Sequence, residues 1–190
     1  MGNFVAKRLF YVIMRYLLLV LLIFSGCRID RDRSVDSARL TFHMPDDTEL
    51  FFRNVRSIYY DREVLGNQEV FRWADRPEST QNPTLTPALV LSPMNDMAFV
   101  VLELKTGRAT DGLTLIVTDS ATMRMDTLRL AEPLPRPSLE LAARIYEGIR
   151  QNQGFQLLQP NNKRPILQTD QERETFRVTM ADFFRLTRVF

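Results

Sequence analysis

A single cysteine, Cys27, stands in the 190 residues of this chain. No intrachain disulfide can form, so whatever folds here must be held together by its own apolar core. The cysteine also has a particular setting. It closes the run Tyr16-Leu-Leu-Leu-Val-Leu-Leu-Ile-Phe-Ser-Gly-Cys27, which follows the basic residues Lys7, Arg8 and Arg15. A basic start, a short apolar stretch and two small residues before a cysteine read as an export signal with a lipid-attachment site.

Those residues resemble a bacterial lipoprotein precursor. Phe24 stands where such signals usually carry Leu, while Ser25 and Gly26 fit. The resemblance covers about the first thirty residues and implies cleavage before Cys27, with a lipid carried on its thiol. Residues 1–26 are then the signal peptide and 27–36 a polar tether. A membrane-spanning helix over Leu9–Gly26 is the rival reading. It is barely long enough and would bury Arg15 at a cost of roughly 2.5–3.5 kcal/mol. Met14 offers a second start, giving a more compact signal. N-myristoylation at Gly2 fails because position 6 is Ala. Lipidation implies a membrane anchor in the cell envelope. The mixed charges of Arg28–Asp36 depart from the acidic run of surface-exposed lipoproteins, which points to the outer membrane and its periplasmic side.

Charge narrows the partners. The chain carries 25 Lys+Arg and 23 Asp+Glu. The signal holds Lys7, Arg8 and Arg15 and no acid, so the remainder is close to neutral. No basic run suits a phosphate backbone, and no nucleic acid is expected as a partner. Asp30, Asp32 and Asp36 lack the turn glycine and closing glutamate of a calcium loop.

Hydrophobic patterning predicts a mainly β, α+β fold. A sandwich-like β domain spans 37–131, and a helix-containing C-terminal portion, 132–190, packs on or beside it. Ser37–Met44, Leu50–Tyr60, Glu69–Trp73, Ala88–Leu91 and Met97–Leu104 read as strands, the last with a helix capped by Asn95 as its alternative, and a long loop covers Arg76–Pro87. Leu113–Thr118 and Met123–Leu130 read as a hairpin, with a bulge near Asp126–Thr127 to absorb a shift in apolar parity. Pro133, Pro135 and Pro137 interrupt the β pattern. Ser138 then reads as the N-cap of a helix running to Gln153, stopped by Gly154. Phe155–Leu158 and Ile166–Leu167 suggest short strands. The tail from Glu174 reads as a strand finishing in a short aromatic helix.

Chemistry is sparse. His43 is the only histidine and lies mid-strand, opposite Phe42, so no serine triad is expected. One His and a lipidated Cys cannot build a zinc site. The acids Asp46, Asp47, Glu49, Asp61 and Glu63 read as solvated turn residues. No catalytic residue, metal or cofactor is expected beyond the lipid on Cys27. Two other features draw notice. Phe52, Tyr59, Tyr60 and Trp73, interleaved with arginines, form a candidate binding surface for a glycan or a protein. Phe51 and Phe52 point to opposite faces of the strand read over Leu50–Tyr60, so at least one of them leaves the core and needs another cover. The tail residues Phe183, Phe184, Leu186 and Phe190 form a candidate partner-docking surface, which truncation after Met180 would remove. The leading expectation is a non-enzymatic accessory or assembly subunit of a membrane protein complex. The alternative is a ligand-binding lipoprotein.

Overall fold

Proline and acid at the start of one segment, and an alternating apolar pattern in the next, divide the early chain into a helix and a four-stranded meander. The computed structural model describes residues 33–78, 82–105, 112–159 and 162–190. Cys27, the apolar run before it and most of the tether lie outside them. Strands β1 (Tyr60–Leu65), β2 (Gln68–Trp73), β3 (Thr84–Ser92) and β4 (Met97–Lys105) form one antiparallel sheet in that order. Strands β5 (Leu113–Thr118), β6 (Met125–Leu130), β7 (Gly154–Gln159) and β8 (Asn162–Ile166) form the second, in the order β6-β5-β7-β8. The fold is therefore mainly β within an α+β architecture, as the patterning predicts.

The central strand β3 is buried along its whole length. Its Leu85, Leu89 and Leu91 share a face with Ala98, Val100, Leu102 and Leu104 of β4. Two helices cover that face. Helix α2 (Pro135–Arg150) lies against β4 and β6, and α3 (Asp170–Leu186) against β3 and β4, with the two helices touching. Residues Ser34–Phe190 form one compact unit. The second sheet takes two strands from before residue 131 and two from after it, so the C-terminal portion is woven into the β layer as well as packed on it.

Several local expectations are corrected. Leu50–Tyr60 is not a strand. Pro45 precedes α1 (Asp46–Phe51), whose first turn holds Asp46, Asp47 and Glu49, and acids are favoured where helix N–H groups are unpaired. A π-helical turn, Phe52–Arg56, and a 3-10 turn, Ser57–Tyr59, continue it. Ser37–Met44 is not a regular strand either. The Asp36 carboxylate accepts from the Ala38 N–H at 2.9 Å and curls Ser37–Arg39 into a 3-10 turn. Only His43 bridges a strand, at Met97.

The prolines before Ser138 start a helix rather than delay it. Pro135 and Pro137 occupy the first turn of α2, where a missing N–H costs nothing, and Ser138 is buried inside the helix. Asn152, not Gly154, ends it. Asn152 takes φ 55°, with Gln153 N–H donating to Gly148 O and Asn152 N–H to Ile149 O, a Schellman closure. Gly154 opens β7. The hairpin forms as expected, but its register runs unbroken from Leu113↔Leu130 to Thr118↔Met125 and holds no bulge. The loop expected to reach Pro87 ends earlier, because β3 starts at Thr84. The β2 ladder stops at Arg72↔Ala88, one residue short of the proline. Finally, the tail is helical from Asp170. Thr169 and Glu172 form a reciprocal capping box that sets its start.

Candidate functional site

The helical stretch from Asp46 to Tyr59 is apolar on both sides, which is unusual for a surface element. Its inner side carries Phe52, 1% exposed, which packs edge-on against Phe71 with ring centroids 5.2 Å apart and tilts against Tyr60 at 5.5 Å. Its outer side carries Leu50, Phe51, Val55, Ile58 and Tyr59, which are 46–73% exposed. The spacing 50/51, 55 and 58/59 follows the helical repeat, so these side chains form one stripe. Scattered exposed apolar residues need no explanation, but a contiguous stripe on one element does.

The stretch is fastened from beneath by a buried carboxylate. Asp182 of α3 is 1% exposed. It accepts a two-pronged contact from Arg56, with Nε at 3.0 Å and Nη2 at 2.9 Å. It also accepts from Arg185 Nη1 at 2.8 Å and from the Tyr60 hydroxyl at 2.7 Å. Two cations and a hydroxyl thus converge on one anion, which is the condition for burying a charge without prohibitive cost. Burial pushes the Tyr60 hydroxyl pKa far up, and the adjacent Asp182 carboxylate pushes it the same way, so Tyr60 stays a neutral donor. For Arg56, burial alone would lower the pKa, yet the bonds to Asp182 outweigh it and the guanidinium is held more firmly charged. Beside this hub lies a cavity of about 300 Å³ between α1 and the end of α3. Phe51, Phe52 and Leu186 make its apolar walls, and Arg56 and Arg185 reach its charged side. On the flank, Arg53 links Glu49 at 2.7 Å to Glu69 at 2.8 Å.

The predicted binding surface divides. Phe52 and Tyr60 belong to the core, a correction: the helical stretch turns Phe52 inward, and Tyr60, the first residue of β1, packs against it and against Phe71. Tyr59 and Trp73 do come together, with rings stacked 5.9 Å apart. The Arg56 guanidinium sits 5.0 Å from the Tyr59 ring and 5.9 Å from that of Trp73. The Trp73 and Arg56 contacts take up part of these rings, while Tyr59 stays 46% exposed. The predicted docking tail is corrected outright. Phe183, Phe184 and Leu186 are 0–1% exposed and Phe190 packs on Phe184 at 5.2 Å, so they fill the protein's own core.

Sequence reasoning placed Arg56 among the rings but missed Leu50, Val55, Ile58 and Asp182 as members of a site. The one available signal was the Phe51–Phe52 adjacency, which required one ring to leave the core; Phe51 is that ring. His43 is exposed at its bridge to Met97, with no acid or nucleophile bonded to its ring among the described residues. Among the described residues there is no group of three or more His, Cys, Asp or Glu placed to hold a metal, and no helix long and apolar enough to cross a membrane. Compared with protein-family models, with curated proteins and with solved structures, the chain shows no match.

Proposed function

We propose that this chain is a cell-envelope lipoprotein, tethered through Cys27, that serves as a non-enzymatic accessory or assembly subunit of a membrane protein complex. One observation carries the reading. A helical stretch already locked to its domain through Phe52 and Arg56 still presents Leu50, Phe51, Val55 and Ile58 to solvent. Burying one such side chain is worth roughly 1.5–3 kcal/mol, so a partner covering the stripe gains substantially from it. Aromatic and large aliphatic anchors at the centre of a patch are also what interface hot spots are made of. The lipid sets the compartment and the stripe sets the contact. The periplasmic face of the outer membrane is the location this reading adopts.

Replacing Phe51 and Ile58 together by Ser tests the contact. Both are exposed, so stability should change by less than about 1 kcal/mol in all. Recovery of the protein with its membrane complex should fall at least tenfold. Unchanged co-purification with detergent-solubilised envelope partners removes the stripe from the interface. The anchor is tested separately by Cys27→Ser. Metabolic labelling with a fatty acid should be lost and the precursor should stay uncleaved. A mature, membrane-bound protein of unaltered mass in that variant defeats the lipoprotein reading.

A further inference from the structure

The only histidine of the chain is set beside a methionine by one bridge between distant segments. Met44 N–H donates to Asp96 O and Ala98 N–H to Phe42 O, both at 2.8 Å, and these two bonds flank the pair His43 and Met97. An antiparallel pair enclosed in that way makes no hydrogen bond to itself. Its side chains rise on one face from Cβ atoms about 4.5–5.5 Å apart, the closest approach a sheet allows. The backbone that carries His43 is fixed on both sides. Leu40 and Met44 are buried, at 5% and 0% exposure, and His43 N–H donates to Thr41 Oγ1 at 3.2 Å. His43 itself is exposed and Met97 half-buried. Phe99, two residues further along the same face of β4, carries the Phe42 ring at 5.3 Å, so an apolar wall stands beside the pair. A second thioether is close in the chain. Met94, 76% exposed, stands on the 3-10 turn Pro93–Asn95 that leads into β4.

We propose that His43 and Met97 together bind a soft monovalent cation, of the Cu(I) class. The donors select the ion. Imidazole suits several transition metals, but a thioether selects Cu(I) and is a poor ligand for Mg, Ca or Mn, which take oxygen. A closed-shell monovalent ion accepts two donors in line, whereas zinc asks for three or four protein groups. Among the described residues no three His, Cys, Asp or Glu converge to supply them. Side chains that start about 5 Å apart can both turn onto one ion, and the unbranched methionine, with three rotatable bonds, adapts to its position. A bound ion would clip the Phe42–Met44 segment to the start of β4. The pair shares no residue with the α1 stripe, and it stands whether or not that stripe meets a partner.

The test uses the full-length chain in detergent, with Cys27→Ser in every sample to remove the one competing thiol. Cu(I) is offered as its bicinchoninate complex, and its transfer to the protein is read by absorbance. The chain should take one equivalent, and its thermal midpoint should rise on loading, because the ion binds the folded state. His43→Ala and Met97→Leu should each weaken binding at least about tenfold, since even the loss of a group behind a metal ligand costs about 10–100-fold. Met125→Leu, at an exposed methionine on another hairpin, should change nothing. Zn(II) should not compete. A redox-inert Ag(I) titration followed by NMR gives a readout on the unsubstituted pair, in which the His43 ring and the Met97 methyl should shift together. The proposal is overturned if the chain takes no Cu(I) from the chelator, or if His43→Ala or Met97→Leu binds as tightly as before. It is equally overturned if Met125→Leu weakens binding as much as they do, which would mean adventitious sulfur binding only, or if Zn(II) displaces the ion.

Discussion

Truncation after Met180 is expected to unfold the domain rather than to free it from a partner. The removed segment carries Phe183, Phe184, Leu186 and Val189, each 0–5% exposed. Phe184 packs edge-on against Tyr146 of α2 with centroids 5.3 Å apart, and also touches Phe183 and Phe190. The terminus is tied down by its backbone as well. Arg188 takes φ 53°, Val189 N–H donates to Phe184 O at 2.9 Å, and Arg188 N–H to Arg185 O at 3.2 Å, the same closure that ends α2. Losing one buried Phe costs about 3–5 kcal/mol, against a total stability of roughly 5–15 kcal/mol for a domain of this kind. Losing Phe183, Phe184, Leu186 and Val189 together costs about as much as that total. The truncated chain should show no cooperative thermal transition by circular dichroism. Phe184→Ala gives the graded version, a loss of about 3–5 kcal/mol that lowers Tm by roughly 6–20 °C. A truncated chain that melts cooperatively near the wild-type temperature would show that the tail is dispensable after all.

What could be read from the sequence, and what could not, follows a physical division. Local alternation sufficed for the β5–β6 hairpin, where Leu113, Leu115 and Val117 face inward and the loop after Thr118 turns on Asp119. A β-branched apolar run favoured the strand at β4 over a helix capped by Asn95, and the helical stripe from Leu139 to Ile149 gave the body of α2. The failures came where a terminal signal outweighed bulk composition. Aromatic and β-branched residues in Leu50–Tyr60 suggest a strand, but three acids after Pro45 start a helix, and tertiary packing of Phe52 completes it. The Thr169–Glu172 capping box was present in the sequence and outweighs the β-like look of the tail. The second sheet was harder still, because β7 joins β5 only after the whole of α2 has been inserted between them. At the site, composition placed rings and arginines together correctly and could not say which faced out. Exposure of Phe51 against burial of Phe52 is decided by what α1 packs on, and that depends on α3, more than a hundred residues away.

Asp182 is the clearest case of such long-range control, and its replacement should have a large effect. It is an acid within Thr179-Met180-Ala181-Asp182-Phe183-Phe184, with buried residues on either side, and its one local partner is Arg185, a turn further on. Its other partners come from far away, Arg56 on the π-helical turn and Tyr60 at the start of β1. The carboxylate thus fastens the outer helical stretch to α3, and holds Leu50, Phe51, Val55 and Ile58 in a fixed array. Asp182→Asn keeps the shape and removes the charge that Arg56 and Arg185 both contact. Breaking one side of a buried ion pair costs about 3–5 kcal/mol. Arg56 and Arg185 side chains keep 22% and 34% of their exposure, so water relieves part of the loss and the low end, about 3 kcal/mol, is expected. Arg56→Met should cost less, because Asp182 would still hold Arg185 and Tyr60. The double variant should cost less than the sum of the two, with a coupling of about 1–3 kcal/mol, since the Arg56 cation that faced Asp182 is then gone as well. Urea unfolding of the three variants, compared at an unchanged m-value, measures this directly. A loss under about 1 kcal/mol for Asp182→Asn, or strict additivity in the double variant, would mean that the α1 stretch is held by Phe52 packing alone and that the buried carboxylate does not organise the stripe.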